Sequence, residues 1–394
     1  MSAKLRYRAF GVLAATAVVL ALPATVSAAE APNTTPLQVQ DAKFTPAGPA
    51  RVLDTRTGAK LGPRGHLRLD LGKAVPADAT AVTLNLTGTE GTADTHVDAQ
   101  PGSGVPKYSH LNLAKGETRA LQVTVPLATD RSIDLYNANG SVHVIADLQG
   151  YYGAQRESGY APQNPARVLD TRDTVPINGG QTRTIDFSGL VPDSATAVTF
   201  NLTGTDATTS TYLTAWRTED PRPPASALNL VQNGTTPNLV TVELGPSKKV
   251  DLYNNAGSAD AIADFAGYYT SDGGALFNTV SAKYPEMPVR IYDSRESTQG
   301  PIRADQTRSI DPGLTESGIA GYLFNITGVN QSGPTFVTAW DGGPRPATSN
   351  LNLAANQTAS NAVSMKGSGV VDLYNALGSV HAIADLQGYF TQPA

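Results

Sequence analysis

Apolar and polar residues alternate with a period of two along most of the chain, which is typical of half-buried β-strands. The segment 195–202 (ATAVTFNL) places its large apolar residues at every second position. Residues 250–253 and 258–263 have the same rhythm on either side of the turn sequence Asn-Asn-Ala-Gly. Because Asn and Gly tolerate the backbone angles of tight turns, this pair predicts a β-hairpin. No segment of helical length is amphipathic, so the pattern predicts an all-β protein.

The chain contains three copies of one sequence unit. The sequence ARVLDTR at 50–56 returns unchanged at 166–172 and as VRIYDSR at 289–295. The motifs NLTG (or NITG), LNL, DLYN and IAD followed by GY come after it in the same order in each copy. Equivalent motifs lie 116–124 residues apart, which is the size of a domain rather than of a solenoid turn.

About seven short strands are predicted in each copy. We therefore predict three tandem homologous antiparallel β-sandwich domains, of jelly-roll or Ig-like type. Their predicted bounds are 44–153 (repeat 1), 160–270 (repeat 2) and 284–391 (repeat 3).

The N-terminus has the three regions of a secretory signal peptide. The first eight residues carry three positive charges, residues 9–22 are mostly apolar, and small residues precede a cut after Ala28. The apolar run is shorter than the roughly 20 residues that a membrane-spanning helix needs. We predict a signal peptide over 1–28, a linker over 29–43, and a secreted protein that is not held in a membrane after cleavage.

Composition excludes several classes of site. The 394 residues contain no Cys and five His, so disulfides, a thiolate nucleophile and a Cys-ligated zinc site are excluded and a His-rich metal site is not expected. The net charge of −5 becomes −8 once the predicted signal peptide is removed. A chain this acidic repels phosphate backbones, so nucleic-acid binding is not expected. No cofactor and no metal are predicted.

The recurring Arg-x-x-Asp-x-Arg element allows two interpretations. Its arginines could form an anion site, or they could form internal salt bridges with Asp147, Asp264 and Asp385 that tie the first strand of each copy to the last. Charged residues are rarely buried unless paired, so the structural interpretation is favoured. Simple strand alternation places the first Arg and the Asp on opposite faces and the Asp and the second Arg on one face. The candidates are Arg51, Asp54, Arg56, Arg167, Asp170, Arg172, Arg290, Asp293 and Arg295.

Two tryptophans are candidates for ligand contact. Each ends an alternating segment and is followed by a Pro-containing loop, so the indole could form a platform on which a sugar ring stacks; packing into the core is the competing interpretation. Repeat 1 has Gln100 at this position, so we predict that the site is lost there. The ligand-binding candidates are Trp216, Trp340, Tyr212, Asn229 and Asn352.

Catalytic motifs are not found. The sequence has no Gly-x-Ser-x-Gly elbow, no His-Glu-x-x-His and no phosphate loop. His96, Asp98 and His110 could form a single triad or metal site in repeat 1, although an isolated surface histidine is the commoner situation. Carboxylate pairs of the glycosidase kind remain open, because their roles depend on distances. We predict that the protein is not an enzyme.

Three motifs together resemble a repeat found in secreted and surface proteins of actinobacteria such as streptomycetes. These motifs are RVLDTR at the head, SNLN at 349–352 and IADLQGYF at 383–390, and the resemblance covers nearly the whole mature chain in three copies. It implies an extracellular accessory or cell-surface module and brings no catalytic signature. Repeat 1 departs from the pattern with SHLN at 109–112 and with Leu121 where the other copies have Asn238 and Asn361, which indicates drift toward a structural role.

Three functional hypotheses follow. The first is a secreted, non-enzymatic protein that binds a polysaccharide or another cell-wall component and associates non-covalently with the cell surface. The second is a structural spacer that contacts other secreted proteins and binds no small ligand. The third, a glycan or ester hydrolase, is the least supported.

Overall fold

The computed structural model describes residues 36–154, 156–280, 288–367 and 369–393. The predicted signal peptide and residues 29–35 of the predicted linker lie outside this part of the chain. The described residues belong to one compact unit, Asn33–Ala394. They form β-strands and one short 3-10 helix, Thr55–Thr57, without any α-helix, so the all-β prediction is confirmed. Within the same ranges no helix is long and apolar enough to cross a membrane.

The strands follow the three sequence copies. The first copy contains β1 Lys43–Asp54, β2 Gly65–Asp70, β3 Ala79–Thr89, β4 Thr95–Gln100, β5 Leu111–Leu113, β6 Arg119–Pro126, β7 Ser132–Asn137 and β8 His143–Gly153. The second contains β9 Gly159–Asp170, β10 Ile177–Asn178, β11 Thr182–Asp186, β12 Ala195–Thr205, β13 Thr211–Arg217, β14 Leu228–Leu230, β15 Thr236–Glu243, β16 Lys249–Asn254 and β17 Ser258–Thr270. The third contains β18 Leu276–Asn278, β19 Val289–Asp293, β20 Ile302–Arg303, β21 Gln306–Ile310, β22 Ile319–Val329, β23 Thr335–Trp340, β24 Leu351–Leu353, β25 Ala359–Lys366, β26 Val371–Asn375 and β27 Ser379–Thr391.

Each copy builds two antiparallel sheets, six in all among the described residues. In repeat 1 the inner sheet has the order β1-β8-β3-β6 and the outer sheet the order β2-β7-β4-β5. Repeats 2 and 3 keep the outer order as β11-β16-β13-β14 and β21-β26-β23-β24. Their inner sheets keep the core order β17-β12-β15 and β27-β22-β25, with the first strands of the copy added along β17 or β27. The alternating apolar side chains of both sheets enclose one hydrophobic cluster in each copy.

Close packing between the two sheets explains why two of the repeated motifs occur together. A Cβ atom at Gly204 in the NLTG motif would lie 2.6 Å from Cδ1 of Leu230, the last residue of LNL on the outer sheet. Any larger residue would push the sheets apart. The same contact joins Gly88 to Leu113 and Gly328 to Leu353.

The predicted hairpin over 250–263 is wrong. Strand β16 pairs with β11 and β13 in the outer sheet, whereas β17 pairs with β9 and β12 in the inner sheet. The turn between them therefore passes from one sheet to the other. Asn254 is fully buried and accepts a hydrogen bond from Thr211 at 2.7 Å, while its amide donates to the Ile177 carbonyl. The Asn of the DLYN motif thus stabilises this crossing through side-chain to backbone bonds.

The three inner sheets meet at a cluster of six aromatic rings, which we call the central cluster. Each copy supplies one ring from its first strand and one from its last. The first-strand ring of each copy contacts the last-strand ring of the next, at centroid separations of 4.1, 4.5 and 4.3 Å around the ring of copies. The pairs are Phe44–Tyr269, Tyr160–Phe390 and Phe277–Tyr152.

Hydrogen bonds close the same ring of copies. The side-chain amide of Asn85 donates to the Ser226 carbonyl at 2.7 Å across the first interface, between repeats 1 and 2. Asn201 donates to the Ser349 carbonyl at 2.9 Å across the second interface, between repeats 2 and 3. Asn325 donates to the Ser109 carbonyl at 3.1 Å across the closing interface, between repeats 3 and 1. The three copies therefore pack together as one body.

Candidate functional site

The Arg-x-x-Asp-x-Arg elements form ion-pair networks. In repeat 2, Nε of Arg167 lies 2.6 Å from Oδ1 of Asp264, and its Nη1 lies 2.6 Å from Oδ2 of Asp170. Arg172 pairs with the same Asp170 oxygen at 2.6 Å. The structure thus brings together all nine predicted residues and the three aspartates of the last strands. The other networks are Arg51–Asp147, Arg51–Asp54, Arg56–Asp54, Arg290–Asp385, Arg290–Asp293 and Arg295–Asp293.

The expected separation of the first Arg and the Asp onto opposite faces is wrong. Arg51 lies opposite Asp147 and Leu53 lies opposite the neighbouring Ala146, so one extra residue is inserted in β1. A β-bulge of this kind interrupts the alternation of side chains. It allows Arg51 to reach Asp54 at 2.9 Å.

The two aspartates of each network have opposite pKa shifts. Hydrogen bonds from Arg172 lower the pKa of Asp170 to about 2. Asp264 is only 3 % exposed, and burial raises its pKa although Arg167 donates to it. Burial penalises the charged form of a carboxyl group, whereas donated hydrogen bonds favour it. The ion pairs of the networks join β1 to β8, β9 to β17 and β19 to β27.

The two tryptophans are buried and do not form stacking platforms. Trp216 and Trp340 are each 6 % exposed. The indole N–H of Trp216 donates to the Asp220 carbonyl at 2.9 Å, and that of Trp340 donates to the Gly343 carbonyl at 3.2 Å. Both bonds hold the Pro-containing loop that follows. The competing interpretation, packing under the loop, describes both residues.

The other three ligand candidates lie on the outer sheets in matching places. Tyr212 lies opposite Asn229 on adjacent strands of repeat 2, and Asn352 occupies the same place opposite Phe336 in repeat 3. All four are half-buried. Each pair lies beside the interface with the preceding copy.

A cavity of about 470 Å³ opens at the second interface. Side chains of repeat 2 form one wall, and the loop after Trp340 forms the other. Sequence reasoning identified Arg167, Arg172 and Asn352 but missed the others, because the two walls lie far apart in the chain. The residues that give the cavity its chemistry are Arg167, Arg172, Asp206, Phe336, Arg345 and Asn352.

Arg345 is fixed by an aromatic ring. Its guanidinium lies 3.5 Å from the centroid of the Tyr374 ring, within the range of a cation–π contact. Arg222 lies over Tyr253 in repeat 2 in the same way, at 3.6 Å. The sequence signal for these arginines is the triplet Pro-Arg-Pro, which occurs at 221–223 and again at 344–346.

Contacts across the interface hold the loop wall. Arg167 donates to the Ala347 carbonyl at 3.4 Å, and Asn201 donates to the Ser349 carbonyl. The hydroxyl of Ser349 in turn donates to Oδ1 of Asn352 at 3.2 Å. These hydrogen bonds fix the position of the loop wall against repeat 2.

The lining suits a polar, uncharged ligand. Asp170 and Asp264 balance the charges of Arg167 and Arg172, and Asp206 is the acidic residue of the lining. A guanidinium has five N–H donors, so Arg172 can still donate after pairing with Asp170. Hydroxyl groups can both accept from such donors and donate to carboxylate or amide oxygens.

The structure brings together the three residues of the possible triad or metal site in repeat 1. His96 and His110 lie 3.4 and 3.5 Å from Asp98, but Asp98 and His110 are almost completely buried. One oxygen of Asp98 accepts the backbone N–H of His110 at 2.7 Å. Among the described residues no group of three or more acidic or histidine side chains could hold a metal ion.

Comparisons with known proteins give little similarity. Neither the protein-family models nor the curated proteins give a match. A structure described by the triple jelly-roll fold and turret assembly of an archaeal virus is 8 % identical with a TM-score of 0.18, over 90 % of this chain and 91 % of that one. A structure of Sulfolobus turreted icosahedral virus is 9 % identical with a TM-score of 0.18, over 91 % and 92 %. Such low scores carry no argument about fold or function.

Proposed function

We propose that this chain is a secreted, non-enzymatic protein that binds a neutral glycan, or another hydroxyl-rich component of a cell surface, at the second interface. In this proposal the three sheet pairs are homologous β-sandwich domains of jelly-roll or Ig-like type, and repeat 1 is a degenerate copy. The signal-like N-terminus and the resemblance to actinobacterial surface repeats support an extracellular location.

The observation that carries the proposal is the cavity between repeats 2 and 3. Its volume of about 470 Å³ falls within the roughly 300–1,000 Å³ typical of small-molecule sites. Arg172, Arg345 and Asn352 supply hydrogen-bonding groups, and the half-buried ring of Phe336 supplies an apolar surface. Sugars present hydroxyl groups at their edges and C–H groups on their faces, so this mixture of groups matches them.

A spacer that contacts other secreted proteins is the second candidate. The observation in its favour is the burial of Trp216 and Trp340, which removes the aromatic platforms expected from the sequence. The two candidates differ in whether the cavity is occupied by sugar.

Retention on polysaccharides tests the proposal. The chain from residue 29 onward is incubated with cellulose, chitin, xylan and isolated bacterial cell walls, and bound protein is measured after washing. We expect retention on at least one of these materials. Arg345→Ala is expected to lower that retention at least tenfold, which corresponds to about 1.4 kcal/mol of binding free energy.

Arg303→Ala is the matched control, because Arg303 is an exposed arginine outside the cavity lining. It should leave retention unchanged, and both variants should melt at the wild-type temperature. Recovery of the wild-type protein unbound from all four materials would overturn the proposal and favour the spacer.

A further inference from the structure

The first interface repeats the contacts that build the cavity at the second. Arg51 donates to the Pro224 carbonyl at 2.9 Å, as Arg167 does to the Ala347 carbonyl. Ser226 donates to Oδ1 of Asn229 at 3.3 Å, as Ser349 does to Asn352. The loop wall is thus held in the same way at both interfaces.

The side chains at the two interfaces also correspond in type. Thr89 bonds Thr118 at 2.6 Å at the first interface, and Thr205 bonds Thr235 at 2.7 Å at the second. The chemically important positions match one by one, with an acid, an aromatic ring and an amide present at both interfaces. The correspondences are Arg51 with Arg167, Arg56 with Arg172, Glu90 with Asp206, Tyr212 with Phe336, Arg222 with Arg345, and Asn229 with Asn352.

The arginine held over a tyrosine is part of this correspondence. Arg222 lies 3.6 Å from the ring centroid of Tyr253, and Arg345 lies 3.5 Å from that of Tyr374. Both arginines are exposed and lie between two prolines, and Arg345 lines the cavity at the second interface.

The closing interface lacks this set. Val105, which is 70 % exposed, occupies the place of the two arginines. His96 takes the place of the aromatic ring opposite Asn112. Asn330 stands where the other interfaces have an acid. The set of side chains shared by the first two interfaces is therefore not reproduced at the closing interface.

We infer that the surface at the first interface, where Arg56, Tyr212, Arg222 and Asn229 correspond to the cavity residues Arg172, Phe336, Arg345 and Asn352, is a second binding site for the same class of neutral glycan. The inference rests on the proposed function and adds the number of binding sites, which is two for three copies. Both sites belong to one compact unit, so neighbouring segments of one polysaccharide can occupy them together, with a gain of avidity of up to about 10²–10⁴.

The inference is tested by NMR titration with soluble sugars, namely cellohexaose, chitohexaose and xylohexaose. Backbone amide signals of β14, which carries Asn229, report on the first interface, and those of β24, which carries Asn352, on the second. With the hexasaccharide that binds best, we expect both sets of signals to move in the wild-type protein. Arg222→Ala should abolish the shifts at β14 alone, and Arg345→Ala those at β24 alone.

A polymer measurement complements the titration. Each single variant should lower retention on the matching polysaccharide at least tenfold, and the double variant should abolish it, whereas Arg303→Ala should change neither readout. Shifts confined to β24, with Arg222→Ala behaving as wild type, would overturn the second site and leave the proposed function standing. Absence of shifts at both strands with all three sugars would contradict the second site and the proposed function together.

Discussion

The first two interfaces share an asparagine pair that the closing interface lacks, although all three have the same bond from an Asn amide to a Ser carbonyl. At the first, the Asn238 amide donates to Oδ1 of Asn85 at 2.9 Å, and at the second Asn361 donates to Oδ1 of Asn201 at 2.8 Å. At the closing interface Leu121 replaces this donor.

At the closing interface the acceptor of the asparagine pair is still present but receives no hydrogen bond within the described part of the chain. Oδ1 of Asn325 is buried and has no hydrogen-bond partner among the described residues. A different contact joins the copies there: Ser360 donates to the His110 carbonyl, and the Asn112 amide donates to the Ser360 hydroxyl at 3.3 Å. The equivalents of Ser360 are Ala120 and Pro237, so this contact is specific to the closing interface.

The difference shows how one copy in a closed ring can change. Each copy faces two neighbours with two different surfaces. The substitution at Leu121 alters the surface that meets repeat 3 and leaves the one that meets repeat 2 intact. The sequence change interpreted as drift of repeat 1 is therefore local to one interface, and the other face of repeat 1 keeps the bond from Arg51 to the Pro224 carbonyl.

The largest effect is expected from Asn361→Leu, which copies the closing interface into the second. Asn361 is fully buried, donates to Asn201 and to the Asn350 carbonyl, and accepts from the Leu239 N–H. Buried groups left unpaired cost about 1–3 kcal/mol each. We expect a loss of about 3 kcal/mol or more in the free energy of unfolding, measured by urea denaturation.

Asn238→Leu serves as the parallel variant at the first interface and should cost about as much. A loss below about 1 kcal/mol in both would show that these amides do not distinguish the interfaces.

The next effect concerns the contact specific to the closing interface. Ser360→Ala removes the donor to the His110 carbonyl and the acceptor for Asn112. A loss of about 1–2 kcal/mol in unfolding free energy is expected. Ser317→Ala, at an exposed serine of the same repeat, is the control and should be neutral; equal losses in the two variants would contradict the assigned contact.

A smaller change is expected from Leu121→Asn, which restores the missing donor. The new amide would lie where it can donate to Oδ1 of Asn325, and this gain offsets the apolar packing that Leu121 makes in the core of repeat 1. We expect a stability within about 1 kcal/mol of the wild type in urea denaturation.

Val123→Asn is the control for this substitution, because Val123 is a buried core residue on the same strand. An amide at that position gains no unpaired acceptor, so the variant should lose about 2 kcal/mol or more by the usual penalty for an unpaired buried amide. Similar losses in the two variants would contradict the unpaired state of the Asn325 oxygen.

The smallest effect tests the ion-pair network, which all three copies share. Hydrogen bonds from Arg172 lower the pKa of Asp170 from 3.8 to about 2, so the pair stabilises the fold above about pH 4 and this contribution is lost as the pH falls toward about 2. Because the pair is partly exposed, Arg172→Leu should cost about 0.5–1 kcal/mol at a pH of about 6.

The difference between wild type and Arg172→Leu should disappear near pH 2 in parallel acid titrations of unfolding. The raised pKa of Asp264, caused by burial, acts with the opposite sign, because its penalty is relieved as the pH falls. Asp264 is present in both proteins, so its own contribution largely cancels. A difference that persists unchanged at the acid end of the titration would contradict the assignment.

Local patterns predicted the strands, because alternation depends on neighbouring residues. The sequence also predicted the three copies and the aspartate partners of the Arg-x-x-Asp-x-Arg elements, since identical motifs recur at domain spacing. The bulge at Arg51 could not be predicted from the sequence, because it depends on the register between β1 and β8. The crossing at Asn254 was mistaken for a hairpin, because Asn and Gly favour both kinds of turn.

The cavity could not be predicted from local sequence patterns either, for a different reason. Its walls come from two copies, with Arg172 and Arg345 separated by more than a whole repeat. The tryptophans were predicted as ligand contacts because each ends a strand before a Pro-containing loop, yet the size of an indole favours burial. The repeated Pro-Arg-Pro triplet was the more informative signal, because a charged residue between two prolines has little structural reason to recur.

The central cluster fixes how many copies this architecture accepts. Every first-strand ring rests on the last-strand ring of the following copy, and the third copy returns to the first through Phe277 and Tyr152. A gene duplication that added a fourth unit, or a deletion that left two, would leave rings without neighbours and expose them to water. The number of copies in this ring is thus set by geometric closure, unlike that of beaded chains, which can gain or lose modules freely.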